Sequence, residues 1–275
     1  MKKMVKAQIS VFVILAIIIA IAVAFAFVIT KKTTDNEFFQ SAELKPSVDS
    51  IRTSLVQCSE NAGKDSLNLI GVQGGYFSKP EKRIDLSTRF VPYYFYEGSL
   101  NYPNKEKIES ELSKAVDQNF LLCVDKININ GFTISHSNGK TKTTINKDDV
   151  KFIIDMPIKI NKEGKTMILQ MKDAPLSINS ALYGIIEVAD YISESHKEDE
   201  RTMCISCIGK IAIDRKVYVD FLDLSATTTL VIISENYTSS EPYSFEFLNK
   251  YKTNSIENNK LPASPVPGLE KGRLK

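Results

Sequence analysis

Tryptophan is absent from this 275-residue chain, and histidine occurs only twice, at His136 and His196. Two scattered imidazoles give little material for a histidine-based metal cluster or acid–base relay. Glycine and proline number 12 and 10, with no collagen period, internal repeat or low-complexity tract, so a fibrous or repeat architecture is excluded. Charge of one sign is not in excess either. Lys and Arg total 35 against 33 Asp and Glu, a net +2, which argues against a strongly basic nucleic-acid binder. No G-x-S-x-G, H-E-x-x-H, Walker A or G-x-G-x-x-G occurs, so the chemistries those motifs position are not signalled. Ser137-Asn138-Gly139-Lys140 has the Ser-x-x-Lys spacing of some acyl-transfer enzymes, but Asn-Gly signals a turn, whereas those enzymes carry the pair on a helix. No catalytic residue, metal ligand set or cofactor site is therefore expected. Hydrophobic residues make up 43% and charged residues 25%, enough apolar material for a core and too much for wholesale disorder.

What the chain does have is one long apolar run. No charge occurs from Ala7 to Thr30, and the 21 residues from Ile9 to Ile29 are almost all apolar. As a helix rising about 1.5 Å per residue they would reach roughly 31 Å, close to a hydrocarbon core of about 30 Å. The run exceeds the 7–15 residues of a secretory signal, and Lys31-Lys32 closes it. It predicts a retained transmembrane helix over 9–30, and hence the lipid bilayer as a partner. Lys2, Lys3, Lys6 and the amino terminus slightly outweigh Lys31 and Lys32. The positive-inside rule then puts the amino terminus in the cytoplasm and the remainder outside, as a single-pass protein of the cell membrane. Beyond Lys32 the chain carries 30 basic and 33 acidic residues, a net −3, with no electrostatic reason to seek nucleic acid.

The opening of the run, Lys6-Ala7-Gln8-Ile9-Ser10-Val11-Phe12, resembles the start of archaeal type IV prepilins, in which a short basic leader precedes Q-x-S-x-E and an apolar helix. Gln8 and Ser10 match; Phe12 stands where the family has Glu. The resemblance implies cleavage between Ala7 and Gln8 and assembly through the apolar helix. The missing Glu, which in the family pairs with a neighbour's new amino terminus, puts polymerisation in doubt. The whole chain also resembles single-span surface proteins of archaea, a likeness that brings no activity with it.

Pattern and punctuation divide the remainder. Residues 1–8 read as a short basic cytoplasmic leader and 31–46 as a stalk or a continuation of the anchor helix. Ser47 can cap a helix whose apolar positions Ile51, Leu55, Cys58 and Ala62 recur at helical spacing to about Leu69, where Gly71, Gly74 and Gly75 end it. The aromatics of Phe90 to Tyr96 mark a strand, read as an edge strand packed on a helix. Asn104 can cap a second helix carrying Ile108, Leu112, Val116, Phe120 and Cys123. From Lys126 the period shifts to two. Asn138-Gly139 predicts a hairpin, Val150 to Ile160 a single strand, and Asn161 to Gly164 a second turn, together a β-meander of about four strands. A helix from Asn179 or Ser180 fades into a charged run, His196 to Arg201, read as a solvated helix end. A short helix over Met203 to Ile213 and three further strands follow. The predicted fold is α+β: an N-terminal transmembrane helix, then an extracytoplasmic domain with an antiparallel β-meander and four packed helices. It divides into a helical subdomain at 47–125, an α+β subdomain at 126–250 and a disordered tail at 251–275.

The four cysteines, Cys58, Cys123, Cys204 and Cys207, are the only concentrated chemistry. Four cysteines allow three pairings. The favoured one joins Cys58 to Cys123 across two packed helices, worth about 2–4 kcal/mol, and Cys204 to Cys207 locally. Cys204-Ile205-Ser206-Cys207 is also a C-x-x-C, which admits a thiol redox site or half of a zinc site. Asn236-Tyr237-Thr238 is a glycosylation sequon, making Asn236 a candidate glycan site. The sequence thus points to a non-enzymatic, membrane-anchored extracytoplasmic protein with a structural or binding role at the cell surface, whose partners include other membrane or surface proteins. The alternatives are a pilin-like subunit processed at Ala7-Gln8 and a membrane-tethered thiol–disulfide oxidoreductase using Cys204 and Cys207.

Overall fold

The computed structural model describes residues 14–24, 35, 37–198, 203–235 and 242–252. Residues 14–24 are helical and exposed. Among the described residues no helix is long and apolar enough to cross a membrane. This overturns the transmembrane helix expected over 9–30, and with it the single-pass cell-membrane localisation built on that helix. The leader positions Ala7 and Gln8, the sequon Asn236 and the tail from residue 253 lie outside the described residues.

In chain order the elements are α1 (Lys45–Val72), β1 (Arg83–Asp85), β2 (Phe90–Tyr96), β3 (Ser99–Leu100), α2 (Lys105–Val124), β4 (Thr133–His136), β5 (Lys140–Ile145), β6 (Asp149–Asp155), β7 (Pro157–Lys162), β8 (Lys165–Gln170), a 3-10 turn at Met171–Asp173, β9 (Leu176–Asn179), α3 (Leu182–Glu198), α4 (Ile205–Arg215), β10 (Val217–Ser225), β11 (Thr228–Glu235) and β12 (Ser244–Lys250). The chain forms two compact units, each assembled from separated segments. The first comprises Met1–Ser66, Ser113–Thr144 and Lys151–Ile178; the second comprises Leu67–Leu112, Ile145–Val150 and Asn179–Lys275.

In the first unit, α1 presents Val48, Ile51, Leu55, Cys58 and Ala62 inward at steps of three and four, all at most 3% exposed. The far half of α2 adds Ala115, Val116, Phe120 and Val124. The Cys58–Cys123 disulfide joins the two helices, with Cα atoms 5.6 Å apart. β4, β7 and β8 form one antiparallel sheet in the order β4-β7-β8, and β5, β6 and β9 lie in another in the order β5-β6-β9. The expected Asn-Gly hairpin does not form, because β4 and β5 belong to different sheets. Gly139 instead lies flat against Met156, whose side chain comes within 2.5 Å of where a Cβ would sit. The single strand expected over 150–160 breaks at buried Met156, and Pro157, which cannot donate to a ladder, opens β7. The second predicted turn does form: Glu163 and Gly164 both adopt positive φ and Lys162 pairs with Lys165.

The edge of β5 is met by side chains of α2. Thr143 N–H donates to Ser113 Oγ at 3.2 Å, and Thr141 N–H to Asp117 Oδ1 at 2.8 Å. The spacing has a simple basis. Four helical residues rise about 6 Å and two strand residues about 6.6 Å, so helix positions four apart meet strand positions two apart.

The second unit is built on a six-stranded sheet in the order β1-β2-β12-β11-β10, with β3 paired to β2. β2 pairs β12 in parallel; the other pairings are antiparallel. The expectation of an edge strand at 90–96 is therefore corrected: β2 lies inside the sheet and six of its seven residues are buried. One face carries Val231, Ile233, Phe245 and Phe247, each fully buried, and α3 covers it with Ile185, Val188, Ala189 and Ile192. Tyr94 stacks on Phe247 with ring centroids 4.2 Å apart and donates its hydroxyl to Gly74 O at 3.0 Å. Glu111, fully buried, accepts from Phe77 N and Ser78 N at 3.1 and 2.6 Å and from Lys107 Nζ at 2.9 Å. It thereby orders the turn after α1. Asn104 caps α2 as expected, its Oδ1 accepting from Lys107 N at 2.9 Å.

Gly71, inside α1, packs directly against the main chain before β12. A Cβ there would lie 2.2 Å from Ser244 O. Helix propensity alone favours Gly71→Ala by up to about 1 kcal/mol. The clash with a backbone carbonyl reverses the sign, and we expect a net loss of about 1–3 kcal/mol, read as a lower urea midpoint at unchanged slope.

Candidate functional site

α4 packs against α3, with Arg215 Cβ 3.2 Å from the Cβ position of Gly184. Its buried positions are Ile208 and Ala212. Cys204 is the N-cap and is disulfide-bonded to Cys207 within the first turn. Cys207 N–H donates to Cys204 Sγ at 3.3 Å, and Ser206 Oγ lies 3.5 Å from the same sulfur. Cys204 is exposed and Cys207 half-buried. Ile205 and Ile213 remain 61% and 77% exposed, and between them Gly209 faces open space. These three residues recur every four positions, so they form one apolar stripe running from the disulfide. The helix ends at Lys216 in the left-handed conformation, its N–H donating to Ala212 O and Ile213 O.

A cleft of about 780 Å³ lies beside this helix, lined among others by Lys147, Asp148, Ser180, Glu187, Arg215 and Glu235. Three of its charged side chains are engaged locally. Arg215 Nε bonds Glu187 Oε2 at 2.5 Å, and Ala181 N–H donates to Glu235 Oε1 at 2.8 Å. The N-terminus of α3 thus already holds a carboxylate, which neutralises the positive end of its dipole. The cleft can recognise polar groups.

Along α3, Glu187, Asp190 and Glu194 form an acidic line. Tyr102 donates its hydroxyl to Glu194 Oε1, and Lys197 Nζ lies 2.5 Å from Glu194 Oε2. Lys197 and Tyr102 hold the Glu194 carboxyl below its usual range. Burial, reinforced by Glu194 and Glu187, pushes Asp190 up to about 6. Burial and the Glu194 carboxylate also raise the Tyr102 hydroxyl.

The histidines occupy separate surroundings. His136 Nε2 is 2.9 Å from Asp125 Oδ1 near the surface. His196, expected in a solvated helix end, is only 2% exposed; it bonds Asn249 Nδ2 at 3.0 Å and packs on Phe95 and Tyr251. Among the described residues no group of three His, Cys, Asp or Glu side chains is placed to hold a metal ion. The sequence reading singled out the cysteines but missed the stripe beyond them, although Ile205-x3-Gly209-x3-Ile213 was legible as a helical period. It also missed the Tyr102–Asp190–Glu194 cluster, whose members are 92 residues apart at the extremes.

On the far side of the sheet, β10 ends the strand order. Tyr218, Leu222 and Leu224 on this strand are about half exposed, at 48%, 53% and 51%. Leu222 pairs with Leu230 of β11, which packs against a smaller cluster of Val91, Tyr93 and Leu248. No family model, curated protein or solved structure matches this chain.

Asp190 yields a pH prediction. Its folded-state pKa, about 6, exceeds the ordinary 3.8. The stability it contributes is therefore complete below about pH 4 and is lost as pH rises through about 6. Asp190→Asn removes that loss. With allowance for solvent at a half-exposed site, the variant should be more stable than the parent by about 1 kcal/mol at pH 7.5 and should show no gain at pH 4. Thermal melts of both proteins at the two pH values measure the difference, and an equal shift at both would refute the assignment.

Proposed function

We propose that this chain is a non-enzymatic binding or structural protein, stapled by two disulfides, that engages an extended polypeptide along β10. The supporting observation is that, among the described residues, a nine-residue strand with exposed Tyr218, Leu222 and Leu224 terminates the large sheet. An edge strand is a template for an added strand, with backbone pairing supplying affinity and alternate side chains supplying selection. The edge of β5, by contrast, is taken up by α2 side chains. Asp220 and Asp223 are exposed on β10 and, three residues apart, lie on opposite faces of the strand, so the occupant favoured by charge is an apolar segment with Lys or Arg three positions apart. A second copy of the same strand would bring two more aspartates to the edge, and like charges across a strand pair are unfavourable.

Hydrogen exchange of the full chain with a ten-residue Val peptide carrying two Lys residues three positions apart tests this. Protection should appear at 217–225, weaken at least fivefold in affinity for an Asp220→Lys/Asp223→Lys variant, and be absent with the corresponding Val/Glu peptide. Equal binding of both peptides, or a dimer broken by Leu222→Arg in sedimentation, would overturn it.

The Lys6 to Phe12 motif favours a second reading, a pilin-like subunit cleaved between Ala7 and Gln8. The intact mass of protein from its native source should then lack residues 1–7; a mass that retains them sinks this reading.

A further inference from the structure

We propose that Cys204 and Cys207 form an exchangeable disulfide that accepts two electrons from the dithiol of an apolar polypeptide bound along α4. The inference stands apart from the β10 reading and survives its failure.

Three observations converge. The first is access, because Cys204 is exposed whereas Cys58 of the other disulfide is 3% exposed. The second is the state of the sulfur. Cys204 Sγ caps an eleven-residue helix and accepts the Cys207 N–H at 3.3 Å. A thiolate released at that position is held by the N–H and by the positive end of the helix, which lowers the thiol pKa and makes this sulfur the better leaving group. The third is the surroundings. Ile205 lies within the four-residue loop, and Ile205, Gly209 and Ile213 extend an exposed apolar track away from it. Gly209 leaves the middle of that track open to an incoming chain. A purely structural disulfide needs none of this.

The exchange runs in two steps. A substrate thiolate attacks Cys204 Sγ, a substrate–Cys204 disulfide forms, and the Cys204–Cys207 bond breaks. Cys207 leaves as a thiolate and takes a proton from solvent. The second substrate thiolate then attacks the substrate sulfur of the mixed disulfide, and Cys204 leaves with the electron pair as the helix-stabilised thiolate. The substrate dithiol is oxidised to a disulfide and the Cys204–Cys207 pair is reduced by two electrons. A low-molecular-weight disulfide restores the pair by the same steps in reverse.

The test uses the full oxidised chain in glutathione buffers of graded ratio, quenched by alkylation and read by peptide mass. Cys204 and Cys207 should interconvert reversibly within the glutathione range while Cys58–Cys123 stays oxidised. A pair that remains oxidised throughout overturns the proposal whatever the variants do. In Cys207→Ser, alkylation of Cys204 should report a thiol pKa at least one unit below the ordinary 8.5. This variant should also form a mixed disulfide with a Leu/Val peptide, carried as its glutathione disulfide, at least tenfold faster than with glutathione disulfide itself. Ile205→Ser/Ile213→Ser in that background should abolish the preference. An unshifted pKa, or equal rates with both disulfides, overturns the site. If Cys207→Ser does not fold, Ile205→Ser/Ile213→Ser in the otherwise native chain decides. Loss of preference for a Leu/Val peptide carrying two cysteine thiols over dithiothreitol supports the track, and an unchanged preference refutes it.

Discussion

The parallel pairing of β2 with β12 is the constraint on which the second unit rests. It places Tyr93 beside Leu248 and brings strands about 150 residues apart into one ladder. Backbone bonds alone would not justify that loop closure. The stack of Tyr94 on Phe247 and the burial of both rings supply the missing free energy. Once β12 is seated, β11 and β10 follow by antiparallel pairing, and α3 has a formed apolar surface to cover. The strand that ends the sheet and the helix carrying Cys204 both owe their positions to this closure. A unit closed by so distant a contact is expected to fold slowly for its size.

Polar side chains perform a second structural task. Glu111, buried completely, satisfies two backbone N–H groups of the turn after α1 and is balanced by Lys107. In the other unit Ser113 and Asp117 accept from alternate residues of β5. An unsatisfied buried donor costs about 1–3 kcal/mol, so these side chains stand where another strand or a water would otherwise be needed. β10 ends its sheet with no further strand among the described residues. The C-x-x-C lies on an element exposed for a different reason: α4 buries only Ile208 and Ala212 fully, and Ile205 and Ile213 are left in solvent.

Where local signals and long-range packing disagreed, packing prevailed. Asn138-Gly139 has the composition of a hairpin turn, yet Gly139 is needed for its lack of a Cβ against Met156. The run at 90–96 reads as an edge strand when taken alone, because nothing near it in sequence announces β12. His196 sits in a charged segment, but its helical phase aims it at Phe95 and Asn249. The apolar run at 9–29 is long enough on paper for a membrane span, yet none of the described helices is both long and apolar enough to cross a membrane.

By itself the sequence determined the α+β class, the helices at 45–72, 105–124, 182–198 and 205–215 to within a few residues, the turn at 163–164, and the strands 217–225, 228–235 and 244–250. These rest on period, caps and turn residues acting over a few positions. It also marked Cys204 and Cys207 as a pair, since four residues is a local distance. Only the tertiary structure decided which strands share a sheet, that each unit draws on three separated segments, that Glu111 and His196 are buried, and that Ile205, Gly209 and Ile213 stay exposed. Those outcomes depend on surfaces contributed by residues far apart in the chain. No local window contains the partner that buries one apolar side chain and leaves another in water.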